Sequence, residues 1–310
     1  MRYRLSYLLL LKCLVILMTG CAHADVVVLM EEPYGEFGHI NPTGHAAVYF
    51  DRLCASTPTQ LRLCAQDEHG VVVSRYHRVA GFDWLAIPPL PYFYAVKDRS
   101  QIPAEADRAT RDDLRDAYRR EELEGLIPDG MEGGSSRTPK GNWTQLIGSS
   151  YDRRIYGFRI HTEAGQDTEL MNRLNDHANV DHFNLFTRNC ADFTRGIVNF
   201  YYPHALHRSF VIDFGITTPK EDAKRLLRFA KRHPEIPFAS FVIPQVPGTI
   251  PRSRRIDNVA EALVRSKKYV IPLALLEPEF TVALIGDVFA GDRHSFWPTN
   301  SLQLPDDGQI

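Results

Sequence analysis

The apolar residues of this chain fall into short runs that predict a mixture of strands and helices. Residues 25–30 form a continuous, largely β-branched run that is typical of a buried strand. Three further strands are predicted, over residues 45–50, 70–77 and 154–160. Helices are predicted over residues 104–126, 167–175, 218–233 and 256–267. This succession predicts an α+β fold built on an antiparallel sheet.

The best-defined helix begins at Cys190. Asn189 is a favourable N-cap, and Asp192 places a carboxylate in the first turn, where the helix dipole stabilises it. One face of the helix carries residues at spacings of three and four: Cys190, Phe193, Ile197 and Tyr201. We therefore expect the Cys190 thiol to point inward, toward the sheet that this helix covers.

The first residues of the chain match an export signal. Positive charges precede a short apolar run at residues 13–18, and Ala22-His23-Ala24 predicts cleavage before Asp25. The sequence ending at Cys21 also resembles a bacterial lipobox, in which Cys21 would be acylated and become the mature N-terminus. Residues 1–24, or a lipoprotein leader ending before Cys21, are thus predicted to direct the protein to the bacterial envelope, as a periplasmic protein or an outer-membrane lipoprotein.

The remaining cysteines single out one thiol. Cys54 and Cys64 lie close together in sequence and are predicted to form a disulfide, because an exported chain meets an oxidising compartment. No histidine spacing of zinc-site type accompanies them. Cys190 is then left unpaired at a helix start, a position where the pKa of a thiol falls from ~8.5 to roughly 3.5–7.5. Cys190 is therefore predicted to be a reactive nucleophile.

A nucleophilic thiol needs a base, and His45 is the best candidate. His45 begins the strand at residues 45–50, and alternation puts it on one face together with Ala47 and Tyr49. The small Ala47 would let a helix pack closely on that face. We therefore expect the Cys190 helix to lie there, with its first turn beside His45.

A third residue would orient the imidazole of His45. If residues 45–50 pair antiparallel with residues 71–77, and Phe50 lies opposite Val71 or the next residue, then His45 lies opposite Tyr76 or His77. A slip of one residue exchanges the two candidates. We favour His77, because an imidazole orients another imidazole better than a phenol does.

These motifs resemble a known group. The sequence Gly44-His45-Ala-Ala-Val-Tyr-Phe50, followed far downstream by Asn189-Cys190-Ala-Asp-Phe193, is similar to the circularly permuted branch of the NlpC-like papain fold. That branch includes lecithin:retinol acyltransferase-like enzymes, and the resemblance covers about residues 25–203. It implies Cys190 as nucleophile, His45 as base and a third polar residue on the neighbouring strand. It also implies two substrate classes, namely peptide amides of the cell wall and lipid esters or amides.

Composition removes other classes of function. A net charge of −2 gives no electrostatic signature of nucleic-acid binding, and no motif calls for a cofactor. A metal site is disfavoured, because His177 and His182 do not share a helix face in the one candidate set: His39, His45, His177 and His182. Residues 269–290 are apolar but include three acidic residues, which indicates protein core rather than a membrane span.

The sequence thus predicts a permuted papain-like catalytic domain over residues 25–213 and a helical extension over residues 214–310. The predicted activity is cysteine-dependent hydrolysis of an amide or peptide, through Cys190 and His45, with peptidoglycan peptides as substrate. Two alternatives stay open. One is a lipid acyltransferase or lipase-like thiol enzyme, and the other is a catalytically inactive module that binds cell-wall or lipid ligands.

Overall fold

A computed structural model describes residues 23–35, 42–129, 141–210, 212–291 and 298. These residues form a six-stranded antiparallel sheet with helices on both faces, and a separate two-stranded ribbon. The predicted α+β class is therefore confirmed. Residues 1–22 of the predicted leader, including Cys21, lie outside the described residues.

The strands and helices are numbered in chain order. The strands are β1 (His23–Glu31), β2 (His45–Phe50), β3 (Leu53–Thr57), β4 (Gln60–Leu63), β5 (Val71–Val79), β6 (Phe82–Ile87), β7 (Ile155–Glu163) and β8 (Phe238–Ile243). The helices are α1 (Pro89–Tyr94), α2 (Arg108–Glu122), α3 (Ser149–Asp152), α4 (Ala164–Asp176), α5 (Cys190–Tyr201), α6 (Pro219–Arg232), α7 (Val259–Arg265), α8 (Lys267–Leu276) and α9 (Pro278–Gly291). Two 3₁₀ turns, Arg99–Gln101 and Asn142–Gln145, complete the described elements.

The strand order in the sheet is β6-β5-β2-β1-β7-β8, with β1 and β2 at its centre. β1 pairs along its whole length with β7, from His23 opposite Glu163 to Glu31 opposite Ile155. The strand therefore includes His23 and Ala24, which cleavage before Asp25 would remove and cleavage before Cys21 would retain.

Strand alternation creates two separate cores. Val28 and Val48 lie on the face that α4, α5 and α6 cover, which we call the α5 face. Val27 and Ala47 lie on the opposite face, covered by α1, α2 and the 3₁₀ turn Asn142–Gln145, which we call the α1 face. Both faces of the central strands are thus buried, which explains their nearly continuous apolar sequence.

The predicted boundary after Asp213 does not separate two structural units. β8 pairs with β7 and completes the edge of the sheet, from Ile155 opposite Ile243 to Ile160 opposite Phe238. α6 packs on the α5 face, where Leu226 is fully buried. Residues 214–310 were predicted as a helical extension; they contain helices and also the strand β8, which lies in the proline-rich stretch of residues 236–252 where no strand was predicted.

The disulfide between Cys54 and Cys64 is confirmed, with an S–S distance of 2.03 Å. It joins β3 to the residue that follows β4, and the ribbon packs on the α5-face core through Leu53 and Leu61. On the chain-entropy account, closing so short a loop stabilises the fold by about 3 kcal/mol.

Candidate active site

Cys190 is the first residue of α5, and the cap before it is the predicted one. The Asn189 side chain accepts a hydrogen bond from the Asp192 N–H at 2.9 Å, and the Asp192 carboxylate accepts one from the Asn189 N–H at 3.3 Å. The Asn189 side-chain amide also donates to the carbonyl oxygens of Leu185 and Thr217, each at 3.0 Å. The helix start is therefore tied to the loops on both sides of it.

The Cys190 thiol is buried against the first residues of β2. It is 8% exposed and is the free cysteine of the described residues, in contact with Ala46 and Ala191. Burial raises the pKa of the thiol to about 11, although the backbone N–H groups of Ala46 and Ala191 act to lower it. The predicted low pKa is thus wrong for this resting structure, because the loss of hydration outweighs the dipole of the helix.

A cavity of about 470 Å³ reaches Cys190. Its wall is formed by the start of α5, by the residues before β2 and α6, and by α7, and it includes the apolar side chains of Leu185, Ile216 and Leu263. Charged groups in the same wall are Arg254, Asp257 and Arg265. The volume and the mixture of apolar and polar groups suit a small molecule or one segment of a larger one. A larger cavity, of about 810 Å³, lies beside β7 and β8 and contains neither Cys190 nor His45.

His45 is the first residue of β2, and its ring is fixed by Ser74 on the neighbouring strand β5. Ser74 Oγ lies 2.9 Å from His45 Nε2 and 2.6 Å from the carbonyl oxygen of Ala46. A serine hydroxyl has one proton, and the carbonyl oxygen can only accept. Ser74 therefore donates to Ala46 and accepts from His45, which assigns the proton of the neutral imidazole to Nε2.

The other ring nitrogen, Nδ1, then carries the free lone pair of the imidazole. In the described part of the chain, Nδ1 forms no hydrogen bond. The ring also stacks on Tyr76, with 4.9 Å between centroids. His45 is thus held in the tautomer that a general base needs.

Two buried charges lie beside this pair. Glu31 lies opposite His45 in the β1–β2 register and is fully buried, and Arg153 forms an ion pair with it at 2.9 Å. Burial lowers the pKa of His45 well below its usual value, and the positive charge of Arg153 lowers it further. Glu31 adds to the raised pKa of the Cys190 thiol. Both charges oppose a thiolate–imidazolium pair, so the resting site holds a neutral thiol and a neutral imidazole.

The structure corrects the predicted packing of α5 on β2. α5 covers the α5 face, where Cys190 contacts Ala46, whereas the His45 ring lies on the α1 face with Ser74 and Tyr76. Ala46 rather than Ala47 is the small residue that permits the close approach. The Cys190 sulfur lies against the N–H of Ala46, which directly follows His45. The bonds between that nitrogen and the His45 ring therefore limit the distance from the sulfur to the imidazole to roughly 10 Å. Cys190 and His45 are both described residues, and the hydrogen bond predicted between them is not formed.

His77 is not the residue that orients His45. Phe50 lies opposite Val71, one of the two predicted registers, and its continuation brings Tyr76 rather than His77 beside His45. His77 is exposed, and its ring lies 5.1 Å from that of Phe183. The prediction considered the residue directly opposite His45 and missed Ser74, a diagonal neighbour two positions from Tyr76 on the same face. The sequence signal was a hydroxyl that directly follows a buried run of three valines.

The described residues contain one cluster with metal-ligand geometry, formed by Cys54, Cys64 and Glu68. Both sulfurs are joined in the disulfide, so neither is a thiolate that can bind a metal ion. Of the four histidines of the weighed metal site, His39 lies outside the described residues. His177 is exposed and bonds through Nδ1 to the carbonyl oxygen of Arg173.

Comparison with protein families, with curated proteins and with solved structures gives no match for this chain.

Proposed function

We propose that the protein is a cysteine-dependent acyl-transfer enzyme of the bacterial envelope, and specifically an amide or peptide hydrolase. Cys190 is its nucleophile, His45 its base, and Ser74 the residue that orients the base. One observation carries the proposal. The thiol of Cys190 is free, begins α5 and lines a cavity. It lies against the start of β2, whose first residue is His45, and Nδ1 of the His45 imidazole carries no proton.

The reaction follows from these groups. Nδ1 of His45 takes the thiol proton as the sulfur attacks the substrate carbonyl carbon, so a carbon–sulfur bond forms and the carbonyl oxygen becomes negative. The carbon–nitrogen bond then breaks, and the imidazolium gives its proton to the departing amine. Water attacks the resulting thioester with His45 again as base, which releases the carboxylic acid and restores the thiol.

The start of α5 and the start of β2 together supply the electrostatic part of this reaction. The N–H groups of Ala46 and Ala191 lie against the sulfur and stabilise negative charge that develops there. Because the resting thiol and imidazole are both neutral, the reaction begins with proton transfer inside a neutral pair. Bound substrate must bring Nδ1 and the sulfur into contact, since their hydrogen bond is not formed in the resting structure.

Two features of the fold support the resemblance found in the sequence. An antiparallel sheet carries the histidine, and the cysteine begins a helix that packs on that sheet far downstream. This order of histidine before cysteine is the order of the permuted papain-like branch, which supports that architecture. Peptidoglycan peptides are the substrate that an envelope hydrolase would meet.

The test is covalent labelling with an acyl-directed thiol probe, followed by mapping of the modified residue. We expect labelling at Cys190, its absence in Cys190→Ala, and at least about a hundredfold slower labelling in His45→Gln, since general-base catalysis contributes about that factor. His77→Gln is the matched control, because His77 is exposed on β5 and should label like the wild type. An unchanged rate in His45→Gln would contradict the proposal.

Two observations favour a different function, a module that binds a ligand without chemistry. The thiol is buried with a raised pKa, and the His45 ring lies on the other face of the sheet. Such a module would bind peptidoglycan fragments equally well in wild type and in Cys190→Ser and would release no product. Mass spectrometry of fragments and of phospholipids incubated with both proteins separates hydrolysis, acyl transfer and binding alone.

A further inference from the structure

The helices α8 and α9, which we call the apolar hairpin, expose large apolar side chains to solvent. α8 has no buried residue, and Leu275 and Leu276 are each 79% exposed. On α9, Val282 is 70% exposed and Phe280 is 45% exposed. The prediction that residues 269–290 belong to the core is therefore wrong for α8. Adjacent exposed apolar groups of this size mark an interaction surface.

The order of residues along α8 indicates what covers this surface. Lys267, Ile271 and Leu275 recur every four residues and share one exposed face, with Lys268 beside them. The cations and Tyr269 are thus confined to the first turn, and the rest of the exposed face is apolar. Lysines that extend to phosphates, with a tyrosine at the same level, are typical of the boundary between lipid headgroups and acyl chains.

We propose that the apolar hairpin docks on the surface of a phospholipid bilayer. Its apolar side chains would enter the outer part of the acyl region, and Lys267 and Lys268 would lie at the level of the phosphates. This proposal is independent of the chemistry assigned to Cys190.

The dimensions of the hairpin require that it stay in one leaflet. α8 has 10 residues and α9 has 14, so they measure about 15 and 21 Å, against about 30 Å for a hydrocarbon core. Within the described ranges, no helix has both the length and the apolar character that crossing a membrane requires. The exposed Glu277 and Glu279 at the connection of the two helices oppose insertion by the tip. The hairpin would therefore lie flat.

The opposite side of the hairpin is fixed to the protein. Thr281 and Leu284 of α9 are buried, and the Phe280 ring lies 6.3 Å from that of Phe214. Tyr269, at the start of α8, also lines the cavity that reaches Cys190. Docking would thus place the mouth of that cavity beside the lipid.

The test uses Ile271→Trp in the full chain, because residue 271 is half exposed and the three native tryptophans are common to every variant. The protein is mixed with vesicles of phosphatidylethanolamine and phosphatidylglycerol that contain lipids with brominated acyl chains. After subtraction of the parent spectrum, we expect a blue shift and quenching of the new indole. The double change Leu275→Gln/Leu276→Gln should weaken this binding by about tenfold or more, and Lys267→Gln/Lys268→Gln by about tenfold.

The control is Leu63→Trp, which puts an indole at an exposed leucine at the end of β4, in the ribbon of β3 and β4. Its emission should not respond to vesicles, even if the leader attaches every variant to lipid. Three results would overturn the proposal: no quenching of I271W, equal quenching of L63W, or a blue shift without vesicles. A blue shift without vesicles would show that protein, not lipid, covers the indole. The covering protein is a second copy if the shift depends on protein concentration, and the same chain if it does not.

Discussion

The Ser74 hydroxyl joins the His45 imidazole to the Ala46 carbonyl, with Oγ 2.9 Å from Nε2 and 2.6 Å from the oxygen. The same dipeptide, His45-Ala46, therefore supplies both partners of the hydroxyl. Its backbone also supplies the N–H of Ala46 that lies against the Cys190 sulfur. The first two residues of β2 thus contact both the serine that orients the proposed base, His45, and the sulfur of the proposed nucleophile, Cys190. The side chains of His45 and Cys190 nevertheless lie on opposite faces of the sheet.

Removal of the Ser74 hydroxyl should disturb the tautomer of His45. In Ser74→Ala, Nε2 loses its partner, so the neutral ring should exchange between its two tautomers and labelling of Cys190 should slow by about tenfold. Long-range ¹H–¹⁵N spectra of the imidazole measure the tautomer directly, and a merely structural role would leave it unchanged. Ser74→Thr retains the hydroxyl and should restore the wild-type spectrum. A wild-type tautomer in the alanine variant would contradict the assignment.

Local sequence signals predicted the helix start and the strand that carry the site. The cap formed by Asn189 and Asp192, the first residue of β2 and the Cys54–Cys64 disulfide all depend on residues that are near one another in the chain. Such features follow from capping, alternation and cysteine parity, and they could be predicted without knowledge of the tertiary fold.

Features set by packing between distant segments could not be predicted in this way. Strand alternation places His45 and Ala46 on opposite faces, but it does not say which face α5 covers. The raised pKa of Cys190 comes from burial beneath elements that the local sequence does not reveal. Arg153 lies 108 residues after His45 in sequence (153 − 45), so its effect on the imidazole also depends on the completed sheet.

The ion pair between Arg153 and Glu31 should be costly to break. In Arg153→Met the fully buried Glu31 carboxylate loses its counter-charge, and the free energy of unfolding should fall by about 3–5 kcal/mol. Glu31→Gln/Arg153→Met removes both charges and should cost less. Urea unfolding at pH 7 measures both variants, and an equal loss in the two would contradict the account.

The same double variant tests the electrostatics of His45. Because Arg153 lowers the pKa of His45, its removal should raise that pKa, as read from the imidazole C2 proton by NMR titration. The lowered pKa of His45 also makes the stability of the protein depend on pH. With its pKa lowered in the folded state, His45 binds protons more readily when the chain is unfolded, so stability should fall as the pH drops through about 6.5. A smaller acid-induced loss in the double variant than in the wild type is the expected result.

Asp222 should destabilise the folded protein at neutral and alkaline pH. Its side chain is buried, both carboxylate oxygens lack hydrogen-bond partners within the described chain, and burial raises its pKa well above the usual value. The folded state therefore holds the proton more tightly than the unfolded state. The contribution of Asp222 to stability is therefore greatest below the unfolded pKa of about 3.9 and is lost as the pH rises toward its folded pKa.

Asp222→Asn removes this ionisation, so its urea midpoint should exceed that of the wild type at pH 8, with the difference shrinking as the pH is lowered. Asp67→Asn, at an exposed carboxylate, is the matched control and should change little. A midpoint for Asp222→Asn that follows the wild type at every pH would contradict the prediction.

The Cys190 thiol should react slowly with a simple alkylating reagent. Burial raises its pKa to about 11, so the rate of alkylation by iodoacetamide should climb through pH 9 and 10 and reach half its maximum near that value. The unfolded chain should instead show a midpoint near ~8.5, the ordinary pKa of cysteine. Asp222→Asn should shift the folded midpoint downward, because the negative charge of Asp222 contributes to the raised pKa. Stopped-flow or mass-spectrometric rates across this pH range provide the measurement.

A folded midpoint below about 8 would show a preformed thiolate and would contradict the neutral resting pair. Fast labelling by the acyl-directed probe combined with slow alkylation is the pattern expected of a nucleophile that His45 activates only when a substrate carbonyl is bound.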